Sequence, residues 1–394
     1  MTSPKPLSFS TLFSSRLSLA LLLSLLAILA GCSSKPPRAP DTLHPVSSLP
    51  RLESNPIGPS VNREASLWTP VPWSDLPGFD ADNLSDAWPA WMHSCERATS
   101  NWLSVCTQVR QLTKASDAEK KAWMRNALQP YLVRKNDGNA VGMLTSYYEP
   151  VMDAARRPGN GFNVPLYRLP TGYKGVGEWF TREQIEGSAS VQPFLQGREI
   201  AWLKDPVDAM VLHIQGSGRL NLREPDGRVV QVRVAFAGTN NQPYKSIGRW
   251  LLDRDLIRDA SWPGIKQWVR NNPGRVQEML WSNPRYVFFK EEALPAHEQA
   301  NGPRGAQGVP LTPQRSIAVD RRSIPYGTPV WLMTAGATLN EKRLVLAQDT
   351  GSAIVGAVRA DYFAGWGEEA GNVAGRVKQD LYLWTFWPKN VALP

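Results

Sequence analysis

Hydrophobic and polar positions fall into four successive textures along the chain. Residues 17–30 are apolar except for Ser18 and Ser24, with no charge and no helical face. These fourteen residues span about 21 Å as a helix, short of the roughly 30 Å core of a bilayer. Over 33–60 the pattern gives way to Pro36, Pro37, Pro40, Pro45, Pro50, Pro56 and Pro59, which predict an extended tether. Helices are predicted next, over 84–113 and 116–129. In the second, Ser116 and Glu119 have capping-box spacing, Trp123, Ala127 and Leu128 mark one face, and Pro130 is expected to stop it.

From about Leu144 the apolar segments shorten and are divided by Gly and Pro, as β-structure requires. Residues 220–223 and 229–234 flank Glu224-Pro225-Asp226-Gly227, a hairpin signal. In its second arm Val230, Val232 and Val234 alternate with Gln231 and Arg233, the pattern of a half-buried strand. The apolar run 209–214 is read as a strand leading into Gln215-Gly216-Ser217-Gly218. Helical texture returns over 246–281, in pieces ended by Pro263 and Pro273. Strands are expected at 286–290, 316–319, 329–333, 343–348 and 381–386, with a polar loop over 295–308. No internal repeat interrupts this order.

Charge and cysteine placement say where such a chain works. Lys5 and Arg16 are the only charges before Leu29-Ala30-Gly31-Cys32, where small residues precede a cysteine. The pattern predicts a lipoprotein signal peptide, 1–31, with the mature protein lipidated on Cys32. Ser33 follows, without the aspartate that argues for inner-membrane retention, so an outer-membrane anchor facing the periplasm is expected. The net charge of +9 falls to +7 when Lys5 and Arg16 leave with the signal. A basic exported protein suits an anionic envelope polymer, and export makes nucleic acid a remote partner. Cys95 and Cys106 are placed either to form a disulfide or to remain as buried thiols. Four scattered histidines and no CxxC or HExxH pattern predict no metal and no cofactor. Sixteen tryptophans suit sugar faces, although cores also consume them.

Three clusters are candidates for chemistry. Asp320 and Asp349 each close an apolar run, and Asp361 lies in Arg359-Ala360-Asp361-Tyr362-Phe363. Carboxylates gathered there are expected to raise one another's pKa, as an acid donor near neutral pH requires; strand-end aspartates also simply cap turns. Gln215-Gly216-Ser217-Gly218 lacks the nucleophile elbow and the dinucleotide spacing, which leaves a ligand-facing or plain glycine turn. In Leu144-Thr145-Ser146-Tyr147-Tyr148-Glu149-Pro150 the two tyrosines must face opposite ways, one able to pack inward while the other meets a ligand.

Taken in order, several segments over roughly 140–390 resemble the membrane-bound lytic transglycosylase A family of murein-degrading lipoproteins. They are Ser146-Tyr147-Tyr148-Glu149-Pro150, Val164-Pro165-Leu166-Tyr167-Arg168, Gln215-Gly216-Ser217-Gly218 and Tyr244-Lys245-Ser246-Ile247-Gly248. The series continues with Asn283-Pro284-Arg285-Tyr286-Val287-Phe288-Phe289, Ser316-Ile317-Ala318-Val319-Asp320-Arg321, Asp349-Thr350-Gly351-Ser352-Ala353-Ile354 and Ala360-Asp361-Tyr362. The resemblance implies a mainly β fold: a double-psi β-barrel domain (61–151 plus 290–394) with an inserted smaller β domain (152–289), a groove between them, and N-terminal helices. It implies cleavage of the β-1,4 bond between N-acetylmuramic acid and N-acetylglucosamine, leaving 1,6-anhydro ends, with Asp361 as acid then base and Asp349 and Asp320 in support. It assigns Thr145, Tyr148, Gln215, Ser217 and Tyr244 to peptidoglycan glycan strands, and admits partners in cell-wall enzyme complexes. A non-catalytic peptidoglycan-binding lipoprotein is the alternative, and a conventional hydrolase of the same bond another. The leader reading carries its own test: Cys32→Ala is expected to stay unprocessed and to take up no labelled palmitate. Labelled protein after that substitution refutes the anchor.

Overall fold

The computed structural model describes residues 49–394. The apolar run 17–30, the expected lipidation position Cys32 and the expected tether through residue 48 lie outside the described residues.

In chain order, β1 (Val61–Asn62) and β2 (Leu67–Pro70) precede three helices, α1 (Leu84–Ser94), α2 (Leu103–Gln111) and α3 (Asp117–Ala127). Strands β3 (Leu128–Arg134) and β4 (Gly142–Glu149) follow, and one proline later β5 (Val151–Ala155) begins a second sheet. That sheet continues through β6 (Val164–Tyr167), two short helices α4 (Arg182–Gly187) and α5 (Gln192–Leu195), and β7 (Glu199–Leu203). Next come α6 (Pro206–Gln215), β8 (Ser217–Arg223), β9 (Val229–Thr239), three helices α7 (Ile247–Leu252), α8 (Trp262–Asn271) and α9 (Val276–Trp281), and β10 (Val287–Ala293). The chain then returns to the first sheet with β11 (Ser316–Val319), β12 (Pro329–Ala335), β13 (Asn340–Asp349), β14 (Arg359–Trp366), helix α10 (Gly367–Ala374) and β15 (Lys378–Pro388).

Strands β15, β12, β13, β11, β14 and β4 pair in that order, and β15 pairs again with β4, which closes the six into a barrel. β3, β2 and β1 extend the sheet outward from β15. Most neighbours are antiparallel, but β11–β13 and β14–β4 run parallel. Closure covers the edge that β4, last in the order, would otherwise expose. The main core packs barrel residues such as Val330, Leu346 and Leu383, and continues beneath α1–α3 through Trp88, Trp91 and Met124. Trp68, Trp91, Trp331, Trp384 and Trp387 are fully buried, so these indoles fill the core and meet no sugar. The second sheet has the order β10-β9-β8-β5-β7-β6 and its own core, including Leu166, Leu203, Leu222 and Phe289. The fold is mainly β, with the second sheet inserted into the sequence of the first.

Where the chain crosses between sheets, the last residue of β4 is a fully buried carboxylate, Glu149. It accepts from Arg219 Nε at 2.8 Å and Arg233 Nε at 2.5 Å, side chains of β8 and β9. The same guanidiniums donate to the carbonyls of Gln299 and Asn301, in the segment returning to the barrel. Arg219 also lies 3.9 Å over the Trp366 ring at the end of β14. One carboxylate thus ties both crossings and the strand carrying Asp361 to the inserted sheet.

Several expectations need correction. The helix expected over 84–113 is broken between α1 and α2, where Ala98 and Thr99 are extended and Cys95 is disulfide-bonded to Cys106. The capping box at Ser116 and Glu119 forms as expected, but Pro130 sits inside β3, since the helix has already ended at Ala127. The run 209–214 is not a strand but the body of α6: Asp205 caps it, Pro206 occupies its first turn, and Gly216 ends it in the left-handed region. Pro263 opens α8 and does not end a helix. Arg233 alternates with the valines as expected, yet its face is buried because Glu149 waits there. The hairpin of β8 and β9 and the strands near 316, 329, 343 and 381 form where the pattern placed them.

Removing the shared carboxylate leaves two buried guanidiniums without a counter-charge. Glu149→Ala is therefore expected to lower unfolding free energy by about 3–5 kcal/mol, read from urea titration. A loss below about 1 kcal/mol would show that water or backbone carbonyls alone satisfy both arginines.

Candidate active site

Strand register brings Asp349 and Asp361 to either side of one residue. β11 lies between β13 and β14, and Ala318 is paired with Asp349 on one side and with Asp361 on the other. On its far side Asp361 is in register with Thr145 of β4. Paired residues project to the same face of a sheet, so the side chains of Asp349, Asp361 and Thr145 are presented together. The parallel β14–β4 pairing needs close backbones, and Gly142 permits it: a Cβ there would lie 1.8 Å from the Val358 carbonyl oxygen.

Thr145 Oγ1 donates to Asp361 Oδ1 at 2.5 Å, and Arg359 Nη2 donates to the same hydroxyl oxygen at 2.7 Å. Burial is the main influence on Asp361 and raises its pKa to about 6, against the Thr145 hydrogen bond and the Arg359 charge, with a smaller upward push from Asp349. Two residues along β4, the Tyr147 hydroxyl donates to Asp349 Oδ2 at 2.7 Å, and the Ala306 amide donates to Oδ1 at 2.9 Å. Burial raises the Asp349 pKa too, while these donors hold it down. Burial and the Asp349 charge push the Tyr147 phenol well above its ordinary value, so it stays a proton donor.

Asp320 behaves differently from the expectation that the three carboxylates raise one another. Both its oxygens are taken, by the backbone and guanidinium of Arg322 and by the Gly356 amide at 2.9 Å. The Arg322 hydrogen bonds dominate and hold its pKa down to about 2. Asp320 ties the end of β11 to the loop ahead of β14, and a permanently charged, fully bonded carboxylate cannot donate a proton.

The five residues assigned to glycan do not form one cluster. Thr145 shares a face of β4 with Tyr147 and joins Asp361, whereas Ser146 and Tyr148 point from the opposite face. On that face Tyr148, Gln215 and Tyr244 line a cavity of about 230 Å³ together with Ser146, Trp262 and Ala374 at the end of α10. Gln215, the last residue of α6, accepts from the Tyr148 amide at 3.1 Å, which holds the inserted sheet's helix against β4. Gly371 of α10 packs on the Tyr148 ring; a Cβ there would come within 2.8 Å of it. Ser217 opens β8 as a buried residue outside this cavity. His213 is turned away from it, bonded to Arg182. Three participants were missed from sequence. For Tyr147 the sequence indicates only one of two oppositely facing rings, Arg359 stands two positions before Asp361 without a local signal, and Glu149 gives no sign of its partners. The alternation along β4 was the available signal for Tyr147.

Comparison with known proteins adds to this geometry. Residues 143–290 match the family model described as the MltA specific insert domain, and 315–387 match the 3D domain model. The membrane-bound lytic murein transglycosylase A of Vibrio cholerae serotype O1 is 33% identical over 258 residues, 63% of this chain and 66% of that protein. The chain thus spans just under two thirds of that curated relative's length. A solved structure of the lytic transglycosylase LtgG of Burkholderia pseudomallei shares 42% identity at a TM-score of 0.58, covering 86% of this chain and all of that one. MltA from Neisseria gonorrhoeae shares 31% identity at a TM-score of 0.72, over 86% of this chain and 97% of that chain.

The Asp320 pairing makes a pH-dependent prediction. Its folded pKa, about 2, is below the ordinary 3.8, so its stabilisation is present above the unfolded value and is lost as pH falls through the folded one. With half-exposed Arg322 screened by solvent, Asp320→Asn should cost about 1–2 kcal/mol at pH 7 and progressively less below about pH 4. Urea unfolding of both proteins across that range checks it. A gap independent of pH would mean that the cost is steric and not ionic.

Proposed function

Because the chain belongs to the membrane-bound lytic murein transglycosylase A family, we propose that it is a peptidoglycan lytic transglycosylase. It cleaves the β-1,4 bond between N-acetylmuramic acid and N-acetylglucosamine and leaves 1,6-anhydromuropeptides. The observation that carries this reading is Asp361: a carboxyl raised to about 6, held by Thr145 and positioned beside a second buried carboxylate. Only about a tenth of such a group is protonated at pH 7, but that is about a hundred times the fraction of an ordinary aspartate.

One acid suffices if the substrate supplies its own nucleophile. An ordinary glycosidase needs a second carboxylate to attack or to activate water. Here the C6 hydroxyl of the muramic residue attacks C1 within the same sugar, at a high effective concentration. Asp361 gives its proton to the departing glycosidic oxygen and, now a carboxylate, takes the C6 proton. Asp349, with both oxygens already accepting, remains in place as a fixed neighbour. Tyr148, Gln215 and Tyr244 are assigned to glycan flanking the reaction centre, and Ser217, the first residue of β8, to glycan with them. The working divisions remain a barrel domain (61–151 with 290–394) and an inserted domain (152–289). Lipidation at Cys32 would hold the protein on the outer membrane facing the periplasm, within reach of the wall and of other cell-wall enzymes.

Since the reaction starts from protonated Asp361 and returns to it, activity should fall as pH rises through about 6. Asp361→Asn should abolish release of anhydromuropeptides from purified murein, by at least the 10²–10⁴-fold typical of acid–base groups. Asp349→Ala should hurt less and shift that alkaline limb slightly to lower pH, because a like charge is removed. Mass spectrometry of the products settles it: reducing ends mean a hydrolase, and no products mean a binding protein. A folded Asp361→Asn protein with near wild-type turnover overturns the assignment.

A further inference from the structure

The hydrogen bonds around Thr145 have a fixed direction, and this bears on which oxygen of Asp361 reacts. A guanidinium has donors and no acceptor, and a threonine hydroxyl has one proton. Arg359 Nη2, 2.7 Å from Thr145 Oγ1, can only donate to it. The hydroxyl proton must therefore point away from the arginine, and the carboxylate oxygen 2.5 Å away, Asp361 Oδ1, is its partner. Among the described residues Oδ2 of Asp361 takes no hydrogen bond. Arg359 is itself held: it donates to the carbonyls of Ala360 at 2.5 Å and Met143 at 3.3 Å, across the β14–β4 pair.

We infer that Arg359 is a positioning residue for Asp361, orienting the Thr145 hydroxyl so that Oδ1 stays an acceptor and Oδ2 alone carries the catalytic proton. The inference rests on the reading of Asp361 as acid and base. Without Arg359 the Thr145 hydroxyl is free to turn. A proton on Oδ1 can then be donated to Thr145 Oγ1, where it points into the sheet and away from any sugar. With Arg359 in place that arrangement would fill both lone pairs of Thr145 Oγ1 with donors and leave the threonine's own proton without an acceptor among the described residues, so the proton stays on Oδ2. In the forward step the Oδ2–H bond breaks as the proton passes to the glycosidic oxygen, the C1–O4 bond breaks, and the charge left on the carboxylate resides at Oδ2. As the C1–O6 bond forms, the C6 hydroxyl proton returns to Oδ2. Oδ1 keeps its Thr145 bond throughout, so nothing reorganises between the two transfers. A dipole aligned in advance in this way is the usual source of electrostatic catalysis.

The test compares Arg359→Met, Arg359→Gln, Thr145→Val and the Arg359→Met/Thr145→Val pair, using the full chain on purified murein, with kcat and KM measured across pH. Arg359→Met should lower kcat by about tenfold, the scale of one lost hydrogen bond, and leave KM nearly unchanged. Its alkaline limb should move to higher pH, since the Thr145 bond and the Arg359 charge both hold the Asp361 pKa down. Arg359→Gln can still donate to Thr145 and should recover most of kcat while keeping the upward limb, because the charge is gone. Thr145→Val should match Arg359→Met in kcat, and the pair should be little worse than either alone, as expected of residues acting through one bond. Carbon-13 titration of the Asp361 carboxyl in Thr145→Val gives a readout that does not depend on activity, and an upward shift is expected. The inference is overturned if the losses in the pair multiply, or if Thr145→Val leaves both the carboxyl titration and kcat unchanged. An active Asp361→Asn instead overturns the parent reading, so the two failures are told apart.

Discussion

A buried carboxylate with two arginine partners is the constraint on which the arrangement of the site depends. Glu149 is fully buried, and a charge in that position persists only if it is paired and its remaining lone pairs are satisfied. Arg219 and Arg233 meet that demand from the inserted sheet, and their other donors close on carbonyls of the segment that leads back to the barrel. The insert is therefore attached to β4 at the residue where it departs and again where it returns. Because β4 also carries Thr145 and Tyr147, the same ion cluster that fixes the insert fixes the strand against which Asp361 and Asp349 are bonded. Interactions of this kind contribute less to net stability than to geometry, since the desolvation of three charges offsets much of their attraction.

Three aspartates that the sequence offers as one group of candidates end up in three different electrostatic states. Asp320 meets a guanidinium and two amides and is held as an anion. Asp349 is buried among donors that occupy both oxygens. Asp361 is buried with one oxygen bonded and the other open, and its pKa is raised to about 6. The dominant cause of the separation is burial set against hydrogen bonding, and mutual repulsion between carboxylates is a minor influence. Residues that look alike in a sequence are thus sorted by how many donors the fold delivers to each.

Strand β4 divides the residues assigned to substrate. Its odd-numbered side chains Thr145 and Tyr147 serve the carboxylates, and its even-numbered Ser146 and Tyr148 border the cavity with Gln215 and Tyr244. The alternation itself was legible, because the side-chain period of a strand is two. Which face held the acid was not, because the partner Asp361 is 216 residues away in sequence. Helix α6 is a different kind of failure. Asp205, Pro206 and Gly216 were all present as start and stop signals, but the apolar run between them reads equally well as a buried strand, and periodicity alone cannot separate the two.

Local chemistry determined much of this protein before any fold was considered. Turn residues placed the hairpin of β8 and β9, the Ser116 and Glu119 spacing placed a capped helix, and apolar runs ending in acid placed Asp320 and Asp349 at strand ends. Ordered motifs pointed to the family. These features depend on contacts within a few residues, so the sequence states them directly. The barrel closure between β15 and β4, the pairing of Glu149 with two arginines, the Cys95–Cys106 bond and the Arg359–Thr145–Asp361 chain depend on which segments meet in space. Only the tertiary structure decided them, because a pKa or a hydrogen bond is set by neighbours, and these neighbours are brought by strands far apart in the chain.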